Sequence, residues 1–462
     1  MKLLTTATLF ILFNCADAYA QTCNCNQELT DVKNKIEKNY AGYQDKVNNK
    51  TRKAYDQHNK LALQQSKSIT NPAYCLYLIN DWLRFFKDGH IQIGRDRISK
   101  EKEKVDLQKR ISNIESLKLP ELTEIRGANG IVGIYGDKDS IFRIALIKSK
   151  NTFREYAGVV ISSKSDKWLP GQVMLELKSG KDTLNGIMYD KFYIPLTVSL
   201  PVTENSLGSW QREETERFIP EVVNEAAVAG KLLSEKTLYL KISSFNQNNA
   251  RNIDSLFKAN KTNLNRIPNL ILDLRNNGGG ADFSYKPILP YLYTNTFKTI
   301  GADVQATDDN IAGWAGVATT DGLPADQKTF INEVIDKMKR NKGTLVSFAE
   351  DQTSTFDSVI TYPKKIIILI NRQCGSTTEE FLLLAKQSTK VTLMGQQTAG
   401  VLDYANMRGA EFSGIPYMLY WATSRSRRID QGMAIDNVGI KPQKTLKLEQ
   451  DWVKEAQSDL ED

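Results

Sequence analysis

The amino-acid sequence predicts an α/β protein: a large domain with a mostly parallel sheet and helical crossovers, an N-terminal helical unit and a small antiparallel β domain. Three observations favour this class. Apolar residues recur at helical spacing near the start of the chain, short β-type runs separated by turn residues fill the middle, and short continuous apolar runs alternate with helical sequence later. Runs that are apolar on both faces are typical of a covered parallel sheet.

The composition bounds the class of protein further. A chain of 462 residues is too long for one ordinary domain. Hydrophobic residues at 41% and charged residues at 25% are typical of a soluble globular protein, and the negative mean hydropathy argues against repeated membrane spans. The formal charge of +7 is spread along the chain rather than gathered in basic runs, so we predict no nucleic-acid partner.

Residues 1–20 have the pattern of a secretory signal peptide. Lys2 comes early, an apolar stretch covers Leu9 to Phe13, and the triplet from Ala18 to Ala20 is an A-x-A cleavage signal. We therefore expect export to the periplasm or beyond the cell, and no integral membrane segment after cleavage.

The cysteines carry two further expectations. Cys15 stands in a distant likeness of a lipoprotein acylation site, but the preceding asparagine fits poorly, so we do not predict a lipid anchor. Export permits disulfides, and either Cys23 or Cys25 could pair with Cys75. The sequence does not decide between these two pairings.

A metal site is not expected. The Cys23-Asn24-Cys25 stretch could be a fragment of one, but His58 and His90 are the only histidines of the chain, and a complete set of four ligands is improbable on that count. We predict neither a metal nor another cofactor.

The first domain, residues 21–119, is predicted to be a helical unit that also carries the segment around His90. Residues 73–86 form its more buried helical segment. The positions that recur at helical spacing before it are Leu29, Val32, Ile36 and Tyr40.

The second domain, residues 120–202, is predicted to be a small antiparallel sheet or barrel. Turn residues separate short β-type runs in this part of the chain. The runs are Ile131–Tyr135, Ile141–Ile147, Tyr156–Ile161, Val173–Leu177 and Phe192–Leu200.

The third and largest domain, residues 203–450, begins with the polar stretch Thr203–Glu216, which we interpret as a linker. Residues 301–360, rich in Gly, Asp and Thr around the helical stretch Asp326–Lys339, are either a lid or a solvated surface excursion. The predicted buried strands are Leu238–Ile242, Leu270–Leu274, Ile366–Ile370 and Val391–Met394. Residues 451–462 are predicted to be an amphipathic C-terminal helix with Trp452, Val453, Ala456 and Leu460 on its apolar face.

Three consecutive glycines follow the second of these strands. The stretch from Asp273 to Gly280 reads DLRNNGGG, and glycines let a backbone turn sharply and bring its N–H groups to a ligand. The simpler alternative is an ordinary loop. A phosphate loop is excluded because no G-K-[ST] follows and the G-x-G-x-x-G spacing is absent.

Ser376 follows the third strand and permits two interpretations. With Glu379 three residues later and an apolar run next, it has the pattern of a helix capping box. A serine at a helix start is also where a hydrolase would place a nucleophile, because free amide groups there favour developing negative charge. Both can hold if the serine starts the helix and Glu379 closes the first turn.

These motifs together resemble the C-terminal processing (tail-specific) and tricorn-core family of serine peptidases. The resemblance rests on DLRNNGGG after an apolar strand, on CGSTTEEF about a hundred residues later, and then on VTLMGQQTAG. It covers roughly residues 206–445 and a short upstream element. It implies a crotonase-like catalytic domain, a polypeptide substrate, Ser376 as the nucleophile, and an oxyanion hole from the amides of Gly279 or Gly280 and of Thr377.

A serine hydroxyl needs a base to accept its proton. The processing branch of the family uses a lysine shortly after a T-x-G motif, but here Thr398-Ala399-Gly400 is followed by no lysine. The tricorn-like branch uses a histidine in a D-G-H segment, and Lys87–Ile91 resembles that segment. The resemblance therefore implies His90 as the general base, a role that suits imidazole with its unperturbed pKa of about 6.5. His58, in a polar stretch, is expected at the surface.

The same branch orients its base with an acid near the chain end. Residues Ile435–Pro442 resemble that segment, with Asp436 where the family more often has Glu. We expect Asp436 to fix the tautomer of His90, directly or through water, as triad acids do. Since Asp is shorter by one methylene, direct contact is left open.

The resulting hypothesis is an exported serine peptidase that forms an acyl-enzyme at Ser376. Two alternatives stay open: a non-catalytic binding relative of the same fold, and an esterase, because the site specifies chemistry rather than substrate. No carboxylate-binding loop of PDZ type stands between residues 120 and 205, so a PDZ domain is not predicted. The sequence does not determine the oligomeric state.

Overall fold

The protein is described by a computed structural model that covers residues 23–95, 107, 110–111, 113–126, 130–137, 141–165, 167–213, 227–320, 323, 325–413, 415, 417–447 and 449–462. The predicted signal peptide and residues 214–216 of the predicted linker lie outside the described residues.

The α-helices of the described chain lie both before and after the central β-rich region. They are α1 Cys25–Asn39, α2 Tyr43–Lys46, α3 Arg52–Ser66, α4 Pro72–Leu83, α5 Leu122–Arg126, α6 Ala250–Ala259, α7 Lys261–Leu264, α8 Leu289–Leu292, α9 Asp308–Ala318, α10 Ala325–Arg340, α11 Thr377–Ala385 and α12 Trp452–Glu461.

The strands group into four sheets. They are β1 Gln92–Arg95, β2 Gly133–Gly136, β3 Phe142–Lys148, β4 Tyr156–Ser163, β5 Val173–Ser179, β6 Thr183–Tyr189, β7 Pro195–Pro201, β8 Ser206–Leu207, β9 Trp210–Arg212, β10 Val228–Leu232, β11 Thr237–Ile242, β12 Asn269–Asp273, β13 Phe297–Thr299, β14 Ala302–Gln305, β15 Leu345–Ala349, β16 Gln352–Ser354, β17 Lys365–Ile370, β18 Val391–Gly395, β19 Tyr404–Glu411, β20 Tyr417–Ser426 and β21 Lys444–Thr445.

Two compact units divide the chain, and each combines separated stretches of sequence. One takes its residues from the stretches up to 27, 64–78 and 97–217, and the other from 28–63, 79–96 and 218–462. The units thus do not coincide with the consecutive domains predicted from the sequence, whose bounds stay a prediction.

The first unit contains an eight-stranded sheet in the order β7-β6-β5-β4-β3-β2-β9-β8, with antiparallel neighbours throughout. A bridge between Val202 and Leu207 brings β8 beside the end of β7, so the sheet curls towards closure. Trp168, Tyr193 and Trp210 are buried in its core. Residues 206–212, which the sequence suggested as a linker, form β8 and β9, and Leu207 and Trp210 are buried in them. The sequence did not indicate these strands because most of the neighbouring residues are polar.

The same unit holds a disulfide between Cys25 and Cys75, whose Cα atoms are 5.4 Å apart. This spacing is usual for an unforced bridge. The structure therefore decides between the two pairings that the sequence left open, in favour of Cys25.

The second unit contains a six-stranded sheet in the order β10-β11-β12-β17-β18-β21. The pair β10–β11 is antiparallel and the other pairs are parallel. The central strands are apolar on both faces because helices cover them, and β12 and residues 366–370 of β17 are buried throughout. On one face α12 packs through Trp452, Ala456 and Leu460, which confirms the predicted C-terminal helix.

A five-stranded sheet of the same unit pairs β20 with β1, β14 and β19, and β14 with β15. Residues 301–360 thus contribute strands to a sheet. They also contain α9, which the sequence analysis missed, although a Thr N-cap followed by two acidic residues, Asp308 and Asp309, is typical of a helix start. Whether this segment acts as a lid stays a prediction.

Across the part of the chain that the structure describes, no helix combines the length and the apolar character needed to cross a lipid bilayer.

Candidate active site

Two neighbouring parallel strands bring the glycine loop and Ser376 to one edge of the sheet. Strand β12 ends at Asp273, five residues before the first of the three glycines, and β17 ends at Ile370, six residues before Ser376. Because β12 and β17 are parallel neighbours, their carboxyl ends lie at the same edge, where open α/β sheets place their sites.

Ser376 lies at the turn from this edge into α11, with φ 55° and ψ −128°. A non-glycine residue with this backbone is strained, by about 1–3 kcal/mol. Its side chain makes no capping hydrogen bond to the helix; instead its Oγ lies 3.2 Å from Nε2 of His90. The capping interpretation is therefore wrong for the side chain, although Ser376 does occupy the N-cap position.

Glu379 also departs from the capping box. It is fully buried and reaches away from the helix, where Oε1 accepts hydrogen bonds from Thr398 Oγ1 and the Gly400 amide, at 2.5 and 2.8 Å, and Oε2 accepts one from the Val401 amide at 2.8 Å. The carbonyl of Val401 in turn accepts a hydrogen bond of 2.9 Å from the amide of Ser376. Glu379 thus ties the loop 398–401 to the serine.

Gly279 packs directly against the start of α11. With φ 103°, it has a backbone that side chains rarely adopt, and a Cβ there would lie 2.9 Å from Ser376 Cβ and 2.9 Å from the Thr377 amide nitrogen. The position therefore requires glycine. Its own N–H donates to Asn277 Oδ1 at 3.1 Å, so that amide is already used.

The amides of Gly280 and Thr377 make no hydrogen bond to any described residue. In the parallel bridge between Phe245 and Gly280, the ladder bonds go through Gly279 and Ala281, which leaves the Gly280 N–H pointing the other way. Thr377 is the first residue of α11, so its N–H has no acceptor within the helix. The hydroxyl of Thr377 donates to the Gly280 carbonyl at 3.0 Å, which ties the two segments together.

Asn277 organises this half of the site, and the sequence analysis missed it. The residue is fully buried, and its Oδ1 accepts from Thr378 Oγ1 at 2.8 Å as well as from the Gly279 amide, while its Nδ2 donates to the carbonyl of Ile242 at 3.1 Å. It joins β11, the glycine loop and α11. Only its place before the glycines could have drawn attention to it.

His90 reaches the serine from a tight turn just before β1. Lys87 has φ 47°, and Asp88 Oδ1 accepts the backbone N–H of His90 at 2.8 Å. A Cβ on Gly89 would lie 2.8 Å from Val401 Cγ1, so the turn presses against the loop that Glu379 holds. His90 itself is buried, at 8% exposure.

Asp436 lies in the same unit, but it makes no hydrogen bond to His90. Its Oδ1 accepts the amides of Leu402 and Asp403, at 2.7 and 2.8 Å. Its Oδ2 and the Nδ1 of His90 are both buried, and neither has a hydrogen-bond partner among the described residues. Burial, with smaller contributions from the charges of Asp88 and Asp403, raises the pKa of Asp436 to about 7, against the effect of the two amide hydrogen bonds.

Asp403 is a second buried carboxylate that the sequence analysis missed. Its Oδ2 accepts the amides of Ile435 and Asp436, at 2.6 and 2.7 Å, and its Oδ1 lies 3.4 Å from Nε of Arg428. Asp403 and Asp436 thus each accept the other's backbone N–H, which fixes the loop that carries Asp436.

His58 is not part of this site. It lies on α3, partly buried rather than at the surface as predicted, with its Nε2 3.1 Å from the Trp82 carbonyl and its ring stacked on Phe85. The apolar residues of α4 and the following turn supply this cover, which the polar neighbours of His58 in sequence do not reveal.

Comparisons with known proteins bear on the family and on the fold. Residues 236–445 match the family model for Peptidase family S41. The chain is similar in structure to mature CPAF complexed with lactacystin, with a TM-score of 0.52, 12% identity and coverage of 95% of this chain and 97% of that chain. It is also similar to a CPAF mutant, with a TM-score of 0.51, 13% identity and coverage of 95% and 96%.

A putative peptidase from Parabacteroides merdae aligns with a TM-score of 0.44 and 13% identity, over 94% of this chain and 93% of that chain. By sequence, the chain matches none of the curated proteins.

The family match over residues 236–445 confirms the resemblance to the C-terminal processing and tricorn-core family of serine peptidases. The chain is a serine-type peptidase.

Proposed function

We propose that the protein is an exported peptidase that hydrolyses peptide bonds through an acyl-enzyme at Ser376, with His90 as the general base. The observation that supports this most is the distance of 3.2 Å between Ser376 Oγ and His90 Nε2, which lies at the outer end of the range for proton transfer to a base. Ser376 is only partly buried, so a substrate can reach it.

In the proposed reaction, His90 Nε2 takes the proton of the Ser376 hydroxyl while Oγ attacks the carbonyl carbon of the scissile bond. The amides of Gly280 and Thr377 stabilise the resulting oxyanion, since neither has an acceptor in the part of the chain that the structure describes. His90 then gives the proton to the leaving amine, and water hydrolyses the acyl-enzyme by the same route in reverse order.

We assign Asp436 as the acid that supports His90. Among the described residues, its Oδ2 is a buried acceptor without a donor and His90 Nδ1 is a buried nitrogen without a partner. The two atoms are chemically complementary, and a direct contact or one bridging water would satisfy both. Of the two candidate glycines, we assign Gly280 to the oxyanion hole, because the amide of Gly279 is engaged by Asn277.

Export and the crotonase-like arrangement of the catalytic sheet are further parts of this proposal. The Cys25–Cys75 disulfide supports export, because disulfides persist mainly in oxidising compartments. The run of parallel pairs from β11 to β21, with helices between consecutive strands as far as β18, supports the crotonase-like interpretation.

The test is hydrolysis of a fluorescently labelled unfolded polypeptide by the wild-type protein and by Ser376→Ala, His90→Ala and the control His58→Ala. We expect the first two to lose about 10⁴-fold or more in kcat, as other serine-peptidase triads do, and the control to keep its rate. A Ser376→Ala variant that still cleaves at the wild-type rate would refute the assignment of the nucleophile. Turnover of p-nitrophenyl esters without any cleavage of polypeptide would identify an esterase instead.

A further inference from the structure

A tyrosine at the end of the first helix is linked to the catalytic histidine through one carboxylate. Tyr40 follows α1 directly, is 2% exposed, and donates its hydroxyl to Asp88 Oδ2 at 2.7 Å. The other oxygen, Oδ1, accepts the backbone N–H of His90 at 2.8 Å. Both oxygens of this buried carboxylate are therefore engaged, one by the helical segment and one by the histidine itself.

The position of the His90 ring depends on this backbone anchor. His90 lies two residues after Asp88 in a turn that also has a hydrogen bond of 3.2 Å from the Ile91 amide to the Asp88 carbonyl. A shift of the turn would move Nε2 away from Ser376, to which the present distance is already 3.2 Å. A misplacement of about 1 Å can cost a catalyst about 100-fold in rate.

Tyr40 has little freedom to leave this place. Its ring lies 5.7 Å from that of Phe86 and 5.5 Å from that of Tyr404. A Cβ added to Gly42 would come within 2.4 Å of the Tyr40 hydroxyl, so the backbone after α1 closes directly over that group. The phenol is held in one orientation, with Asp88 as its acceptor.

We propose that Tyr40 and Asp88 are positioning residues of the active site: the Asp88 carboxylate, held by the Tyr40 hydroxyl, anchors the backbone of His90 and places a negative charge next to this residue. This inference rests on the proposed function, in which Ser376 and His90 react. It assigns a catalytic purpose to a residue that the sequence presented only as one of four apolar helix positions.

The charges around the two carboxylates determine the direction of the effect. The Asp88 carboxylate is buried, and the Tyr40 hydroxyl, the His90 amide, and the charges of His90 and Lys46 lower its pKa against the effect of burial, while the charge of Asp88 contributes to the raised pKa of Asp436. Removal of the charge on Asp88 therefore makes ionisation of Asp436 easier. The titratable groups that face one or both carboxylates are Tyr40, Lys46, His90, Asp403 and Tyr404.

The experiment measures the rate of covalent labelling by a fluorophosphonate as a function of pH, since this probe reacts with an activated serine and needs no known substrate. The variants are Asp88→Asn and Tyr40→Phe. Asparagine keeps an oxygen that can accept the His90 amide but removes the negative charge. We therefore expect the acidic limb of the pH–rate profile of Asp88→Asn to move to lower pH by about half a unit or more. Tyr40→Phe removes only the hydroxyl, and we expect labelling at the optimum to slow by about tenfold, in the maximal rate rather than in probe affinity.

The matched control is Tyr55→Phe. Tyr55 is 1% exposed and donates to the Glu37 carboxylate at 2.9 Å, so the variant loses a tyrosine–carboxylate hydrogen bond, here a partly buried one, that involves no residue of the active site. Even where Tyr55→Phe lowers the melting temperature as much as Tyr40→Phe does, its rate of labelling at each pH should equal that of the wild type. The inference would be overturned if the acidic limb of the pH–rate profile of Asp88→Asn stayed in place or moved to higher pH. It would also be overturned if Tyr40→Phe and Tyr55→Phe had the same labelling profile. If the wild type were not labelled at any pH, the proposed function would be refuted, and this inference with it.

Discussion

At the scale of single residues, the site depends on groups that are individually unfavourable. Ser376 has a strained backbone, Gly280 and Thr377 leave amides without acceptors, and Asp436 is a carboxylate whose burial opposes its charge. Such features persist only where the surrounding structure enforces them, and they concentrate at active sites. Here Asp436 accepts the amides of Leu402 and Asp403, directly after the Val401 carbonyl that accepts the amide of Ser376.

The raised pKa of Asp436 has a consequence for stability. An unfolded Asp titrates near pH 4, whereas Asp436 in the folded chain titrates at about 7. Below pH 4 both states hold the proton, between 4 and 7 only the folded state does, and above 7 neither does. The folded state therefore loses stability as the pH rises from about 4 to about 7, and the loss persists above that.

We predict that Asp436→Asn is more stable than the wild type at pH 8 and equal to it at pH 4, because the amide cannot ionise and its oxygen can still accept the amides of Leu402 and Asp403. A shift of three pKa units would correspond to about 4 kcal/mol in a sealed site, and partial solvent access reduces this to about 2 kcal/mol. Chemical denaturation at several pH values measures the difference. If the difference in the free energy of unfolding between the two proteins did not change with pH, the raised pKa of Asp436 could not be its cause.

At the scale of elements, the site is held by buried polar side chains that join loops to strands and helices. Asn277 joins β11, the glycine loop and α11, and Glu379 joins α11 to the loop 398–401. Asp403 joins the loop that precedes β19 to the loop that follows β20. A buried network of this kind is rigid when every member is satisfied and costly when one partner is lost.

Glu379→Gln tests whether this buried network supports both the stability of the fold and the reactivity of Ser376. Three donors share the two oxygens of Glu379, so a glutamine must turn its amide group towards one of them and leave a buried donor unpaired. We expect a loss of about 1–3 kcal/mol in the free energy of unfolding and at least a tenfold slower labelling of Ser376.

The matched control for this variant is Glu455→Gln, which neutralises an exposed carboxylate in the first turn of α12 and should change neither quantity. Normal labelling in Glu379→Gln, measured under conditions where the protein is folded, would show that the loop 398–401 does not have to be held in place for the serine to react.

At the scale of the whole molecule, much of the fold could be predicted from sequence where apolar runs were continuous. The strands β11, β12, β17 and β18 lie within one or two residues of the predicted runs, because strands buried on both faces have little polar sequence to blur them. Strand β6, with Asn185 and Gly186 in its middle, carries a turn-like signal and was missed. The discontinuous units could not be foreseen, since sequence periodicity does not report which distant stretches pack together.

The site was predictable only in part, and for a similar reason. The residues assigned to reaction carried motif signals, and the structure brings His90 to hydrogen-bonding distance of Ser376. Glu379 was noticed as a cap but not as the anchor of a loop, and Tyr40 was noticed only as an apolar position. Their functions depend on partners from 19 to 48 positions away in sequence, which local patterns do not show.

The central claim is that His90, far from Ser376 in sequence, makes this serine reactive together with Asp436. Mass spectrometry of the protein after treatment with a fluorophosphonate tests it most directly, with the modified peptide sequenced in the wild type and in His90→Ala. We predict a single adduct on Ser376 in the wild type at neutral pH, and an adduct that forms about 10³-fold more slowly or not at all in His90→Ala. An adduct on another residue, or equal labelling of Ser376 in both proteins, would contradict the account.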